Sequence, residues 1–128
     1  MNVLLDTHAF LWWIAGDSIP QLAGNAIRDP NNVVWFSAAS AWEITIKANL
    51  GKLRFPDQAS RFFEQQRILN RFNWLPIDIK ALEILCELPM HHRDPFDRLL
   101  IAQALALDYT LITTDSAIAL YDVKHFWA

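Results

Sequence analysis

Asp6 is the residue that most constrains this chain. It closes the apolar run Val3-Leu4-Leu5 and is the only Asp, Glu, Lys or Arg among residues 1–16. A short apolar run followed by a helix-like pattern reads as a buried parallel strand. The Asp6 carboxylate then stands at the carboxyl end of that strand, on the rim where open α/β sheets bind ligands. Three later acids have equally apolar surroundings: Glu43, Asp97 and Asp115. The fold is expected to bring these four carboxylates together.

The remaining pattern supplies the frame. A helix is expected over 7–15, capped by Asp6 or Thr7 and stopped near Gly16. Another starts at Ser18-Ile19-Pro20, with Pro in its first turn, and ends in a turn at Asp29-Pro30-Asn31-Asn32. Val33-Val34-Trp35-Phe36 is a β-branched and aromatic strand, and the helix over 37–50 carries Glu43. Pro56-Asp57 opens an amphipathic helix with Phe62, Phe63, Ile68, Leu69 and Phe72. Pro76 confines the strand over 74–77 to an edge or to its own end. Asp78 starts a helix with Leu82, Leu85 and Leu88, a polar loop covers 90–95, and the helix over 96–107 has Asp97 in its first turn. A strand over 110–113, a short helix over 116–120 and a last edge strand over 123–127 complete the order. Strands alternating with helices give an α/β fold: a three-layer α/β/α sandwich around a mainly parallel sheet of four to five strands.

The length of 128 residues with 53% hydrophobic side chains suits one domain, 1–128, with its own core. No apolar run approaches the roughly 18 residues of a membrane span, and the N-terminus does not read as a signal peptide. Cys86 is the only cysteine, which excludes an internal disulfide and a Cys-based zinc site and fits a reducing cytoplasm. Cys86 is expected to be a small core residue, and the six Trp are expected to be mostly core, with Trp12, Trp13 or Trp127 serving a subunit interface. A net charge of −3 argues against nucleic acid, but the charge is uneven. Residues 44–80 hold seven basic side chains, among them Lys47, Lys52, Arg54, Arg61 and Arg71, against three acidic ones. A basic face beside an acidic centre attracts phosphate; a solvated helix face is the plainer reading of the same charges.

Four carboxylates in one apolar cleft repel one another and need a cation. Oxygen ligands without His or Cys suit Mg²⁺ or Mn²⁺. Such a metal activates water and stabilises displacement at phosphorus, so the chemistry implied is phosphodiester hydrolysis. Asp6, Asp97 and Asp115 also suit helix caps or first turns, whereas Glu43 sits mid-helix among Ala41, Trp42, Ile44 and Ile46 and needs a partner. Asp94 reads as a structural or loop residue. His91-His92 reads as a polar loop able to touch RNA rather than as a metal site, because adjacent histidines rarely face one ion.

Leu4-Leu5-Asp6-Thr7-His8, Ser40-Ala41-Trp42-Glu43-Ile44, the stretch from Asp94-Pro95-Phe96-Asp97-Arg98 to Ala104, and Leu111-Ile112-Thr113-Thr114-Asp115 resemble the motifs of PIN-domain proteins. They most resemble the VapC-type toxins of toxin–antitoxin pairs, in order and over nearly the whole chain. The resemblance implies a small Mg²⁺- or Mn²⁺-dependent ribonuclease. It makes Asp6, Glu43, Asp97 and Asp115 catalytic and metal-binding, and Thr7 and Thr114 supporting hydroxyls. It also implies an RNA substrate, a homodimer and a small antitoxin. RNA is expected on Lys47, Lys52, Arg54 and Arg61. Large apolar side chains are dense in residues 1–72, namely Phe10, Trp12, Trp13, Ile14, Phe62, Phe63 and Phe72. Some of them should stay exposed as a self-complementary patch, with an apolar groove near the acidic rim left for the antitoxin.

Rival readings fit less well. A phosphoryl-accepting receiver is similar in class and size, but Thr7 stands where its second acid belongs and no Lys follows the late strands until Lys124. A haloacid-dehalogenase-like phosphatase needs Asp where His8 stands. A non-catalytic RNA-binding module leaves an intact acidic quartet unexplained.

Overall fold

The computed structural model describes residues 1–127. Its strands β1 (Asn2–Leu5), β2 (Val33–Ser37), β3 (Asn73–Leu75), β4 (Thr110–Ile112) and β5 (His125–Phe126) form one sheet in the order β3-β2-β1-β4-β5. Every pairing is parallel. β1 is central, and successive side chains of a strand face opposite layers. Val3 and Leu5 therefore join one core with Phe10, Ala23, Ile27, Phe36, Ile44 and Phe63. Leu4 joins the other with Leu99, Leu100, Leu111 and Ile118. Two cores on one sheet require helices on both faces, and the three-layer sandwich is what forms.

The helices are α1 (Thr7–Ala15), α2 (Gln21–Arg28), α3 (Ala38–Asn49), α4 (Ala59–Leu69), α5 (Ile79–Glu87) and α6 (Pro95–Leu107), with a 3₁₀ turn over Ser116–Leu120. Their order follows the sequence expectation throughout. Gly16 ends α1 in the left-handed region, with φ of 74°, and its N–H reaches the carbonyls of Trp12 and Trp13. Proline at the start of α6 costs no hydrogen bond there. α4 begins at Ala59 rather than at Pro56-Asp57, because residues 53–57 remain an irregular connector.

The topology fixes where a ligand can sit. The chain steps outward from β1 through β2 to β3, then returns to the other side of β1 as β4. The point of reversal lies between β1 and β4, and in open parallel sheets the crevice there, beyond the carboxyl ends, is the binding place. The pairing of Leu5 with Ile112 sets Asp6 beside Thr113 at that place.

Several packing expectations are corrected. Cys86 is exposed, because the α5 face that turns inward carries Ala81 and the half-buried Leu85 instead. None of the six Trp is fully buried; Trp42, Trp74 and Trp12 are exposed, and the rest lie half-buried at the margins of the cores. Of the large apolar side chains expected to be partly exposed, Trp12 is exposed while Phe10, Phe63 and Phe72 are core residues, with the Phe10 and Phe36 rings stacked at 4.0 Å. Ile68 and Leu69 are exposed, since only Phe63 of α4 is fully buried.

Candidate functional site

Asp6 is buried directly after β1 and caps α1. Its Oδ1 accepts from the Ala9 N–H at 2.7 Å. Its Oδ2 accepts from the Thr113 hydroxyl at 2.6 Å and the Thr114 N–H at 3.3 Å. The hydroxyl on Asp6 thus comes from Thr113, and Thr114 contributes its backbone N–H. Burial raises the pKa of Asp6, and the bonds from Thr113 and Ala9, the nearby His8 and the Thr114 N–H oppose that rise.

Glu43 is buried in the middle of α3 and has the partners that such a position demands. The Thr7 hydroxyl donates to its Oε1 at 2.6 Å and stands 3.0 Å from the hydroxyl of buried Ser40. Lys47, one helical turn on, donates to its Oε2 at 2.6 Å. Lys47, expected on RNA, is held on Glu43 with about a third of its side chain exposed. Lys52, Arg54 and Arg61 are exposed, and Arg61 is 3.9 Å from Asp57.

Asp97 lies in the first turn of α6, where Asp94 is the cap: Asp94 Oδ1 accepts from the N–H groups of Phe96 and Asp97. Among the described residues nothing donates to the Asp97 carboxylate. Its pKa is raised to about 7, first by burial and then by the charges of Asp94, Asp6, Glu43 and Asp115. The four acids, far apart in sequence, thus act on one another at Asp97.

Asp115 follows β4 and caps the 3₁₀ turn, its Oδ1 accepting from the Ala117 N–H at 2.9 Å. Its own N–H donates to the Thr113 hydroxyl at 3.0 Å, so Thr113 links Asp6 to Asp115. His92 Nε2 lies 3.5 Å from Asp115 Oδ2, and ligand atoms of His92, Asp97 and Asp115 fall within 4.8 Å of one another. The sequence reading placed the histidine pair in a polar loop and missed this approach. Ser40, Thr113 and Tyr121 were missed as well. For Thr113 a signal existed, because it immediately follows the strand that pairs with β1.

No Lys or Arg pairs with Asp6, Asp97 or Asp115 among the described residues. Clustered carboxylates with no cationic side chain among them suit an oxygen-liganded divalent cation, which removes the repulsion. Beside the site, a cavity of about 400 Å³ is lined by Leu11, Trp12, Ile14, Leu53, Phe55 and Phe62, with His8, Asp17, Lys47 and Arg54 as its polar groups. No helix among the described residues is long and apolar enough to cross a membrane.

The PIN domain family profile matches residues 3–124. The chain is similar in structure to VapBC2 from Rickettsia felis bound to a promoter DNA fragment, with a TM-score of 0.75, 16% identity and all of both chains covered. It is similar to VapBC-1 from nontypeable Haemophilus influenzae, with a TM-score of 0.71, 20% identity and coverage of 98% of this chain and 97% of that one. It also resembles VapBC-5 of Mycobacterium tuberculosis, a member of the VapBC family of toxin–antitoxin systems, at TM-score 0.64, 20% identity and 99% and 98% coverage. These likenesses establish the fold. No curated protein matches the sequence.

The raised pKa of Asp97 predicts how stability varies with pH when metal is chelated. Unfolded, Asp97 loses its proton near 4; folded, it keeps that proton until about 7. Across that window the folded state binds more protons, so stability must fall as pH rises and stay reduced above the window. Urea unfolding in EDTA across this pH range checks it: the slope should be negative and should flatten in Asp97→Asn. An unchanged slope in the variant would remove Asp97 as its source.

Proposed function

The chain belongs to the PIN domain family, and on that premise we propose that it is a divalent-metal-dependent ribonuclease, the VapC-type toxin of a toxin–antitoxin pair acting in the cytoplasm. The observation that carries this reading is the convergence of the acids beyond the β1–β4 edge: Thr113 bonds to both Asp6 and Asp115, ligand atoms of Asp97 and Asp115 lie within 4.8 Å of each other, and Thr7, next to Asp6, bonds to Glu43. Asp6, Glu43, Asp97 and Asp115 would hold Mg²⁺ or Mn²⁺. Such an ion, when bound, supplies a water of lowered pKa and neutralises charge developing at phosphorus.

The chain's own groups do the orienting. Asp6 is fixed through both oxygens by Ala9, Thr113 and Thr114. Thr7 holds one oxygen of Glu43, and Lys47 holds and neutralises the other. Thr113 couples the ends of β1 and β4, so Asp6 and Asp115 keep their spacing. Exposed Lys52, Arg54 and Arg61 lie on the connector and on α4, where they can meet the phosphates of an RNA strand. The apolar cavity beside Lys47 suits an apolar antitoxin segment whose Arg or Lys would pair with the acids and exclude metal. The similar solved structures described as VapBC complexes support such a partner.

RNA cleavage by the purified chain tests the core of this reading. Activity is expected with Mg²⁺ or Mn²⁺ and not with EDTA. Asp6→Asn should reduce it by more than the roughly 10–100-fold that follows loss of an outer-shell partner, with the fold retained. Wild-type rates in Asp6→Asn would sink the metal role; RNA bound but never cut would favour a binding module.

The RNA path has its own test. Binding should weaken steeply with salt because phosphate contacts release counterions. Replacing Lys52, Arg54 and Arg61 together by Glu should flatten that dependence, whereas an unaltered dependence would put the RNA elsewhere.

For the assembly, light scattering should find a homodimer and co-expression with the adjacent small gene should relieve growth arrest. A monomer at high micromolar concentration, or arrest that persists, would remove the corresponding partner.

A further inference from the structure

The loop between α5 and α6 is organised by one phenol. Tyr121 is buried, and its hydroxyl oxygen receives three N–H groups: His91 N at 3.1 Å, His92 N at 3.2 Å and Arg98 Nη1 at 3.2 Å. Arg98 is itself buried and, among the described residues, has no carboxylate partner. It donates instead to the carbonyls of Pro89 and Leu88, which fixes it and the loop. His92 Nδ1 lies 3.1 Å from the same hydroxyl oxygen.

A phenol oxygen has two lone pairs and one proton. Three N–H donors already exceed the two lone pairs, so a fourth donor from His92 has no place. The hydroxyl proton needs an acceptor, and among the described residues His92 Nδ1 is the one within reach. Nδ1 is therefore the acceptor, and the imidazole carries its proton on Nε2. Nε2 is buried and, among the described residues, has no hydrogen-bond partner. A buried polar atom left in that condition calls for an explanation. The nearest carboxylate oxygen recorded for it is Asp115 Oδ2, at 3.5 Å.

Two roles are open to Nε2. The 4.8 Å grouping with Asp97 and Asp115 would suit a nitrogen ligand to a metal. A nitrogen that carries a proton cannot be one. We propose that His92 is a positioning residue for Asp115, with its tautomer set by Tyr121 and Arg98 and its Nε2–H aimed at Asp115 Oδ2. The present separation is longer than an ordinary N–H···O bond, and a small movement of the ring or the carboxylate is needed to make it. Ala117 already holds Oδ1. With His92 on Oδ2 the carboxylate has a fixed orientation, and the cation site keeps oxygen donors alone. This step rests on the reading of Asp115 as a metal-holding acid; the tautomer does not.

Two measurements on the full chain test it. Long-range ¹H–¹⁵N correlation spectra of wild type at neutral pH in EDTA should show His92 protonated on Nε2 and bare on Nδ1, and added Mg²⁺ should leave that proton in place. A proton on Nδ1 in any form, or loss of the Nε2 proton on adding Mg²⁺, would overturn the proposal, the second in favour of direct ligation. Calorimetric titration with Mg²⁺ is the other arm. His92→Ala should bind about tenfold more weakly, as loss of an outer-shell partner typically does. His92→Gln, which keeps an N–H donor at the reach of Nε2, should recover most of that affinity. Wild-type affinity in His92→Ala, or no recovery in His92→Gln, would also overturn it. Absence of Mg²⁺ binding to wild type would defeat the metal reading instead, and the spectra would still judge the tautomer.

Discussion

Repulsion among carboxylates, two of them buried and two half-buried, is the constraint on which the rest of this structure depends. A parallel sheet with helices on both faces has its strand ends on one edge, and the reversal of strand order opens a crevice there. Asp6 and Asp115 reach that crevice from β1 and β4, Glu43 from α3 and Asp97 from α6. The cost is visible at Asp97, whose proton is held to about 7 by burial and by the surrounding acids. An apolar fold gains nothing from such an arrangement by itself. It is what the proposed cation site would require, with stability given up locally for function.

The surrounding chain restrains the acids mostly with neutral donors. Asp6 is held by two N–H groups and the Thr113 hydroxyl, Glu43 by the Thr7 hydroxyl, and Asp115 by the Ala117 N–H. Neutral donors orient a carboxylate while leaving its charge available. Lys47 is the exception, and it sits on Glu43 rather than on the acids nearest the β1–β4 reversal. The loop before α6 follows the same rule, since buried Arg98 spends its donors on carbonyls and a phenol.

Much of the site was legible in the sequence because charge is rare in an apolar stretch. A lone Asp ending a strand, or a Glu inside an apolar helix, stands out, and alternating strands and helices place such residues on one edge. Side-chain partnership was harder to read. Thr113 and Thr114 are neighbours of the same type, and only the register with Ile112 decides which hydroxyl meets Asp6. Lys47 looked like part of a basic face until the helical turn set it on Glu43. His92 carried no spacing signal, because it reaches Asp115 through a loop shaped by Tyr121, about 30 residues away. Burial at margins was also illegible: Cys86 and Trp42 have core-like character and face solvent.

The central claim is that the acids are mutually destabilised until a cation relieves them. Calorimetric titration of the purified chain with Mg²⁺, at a pH just below the Asp97 value of about 7 and in buffers of different ionisation enthalpy, tests this most directly. Because ligands bind metal deprotonated, binding should release a substantial fraction of one proton, and the release per bound ion should fall in Asp97→Asn. Binding without proton release, or no binding at all, would contradict the account.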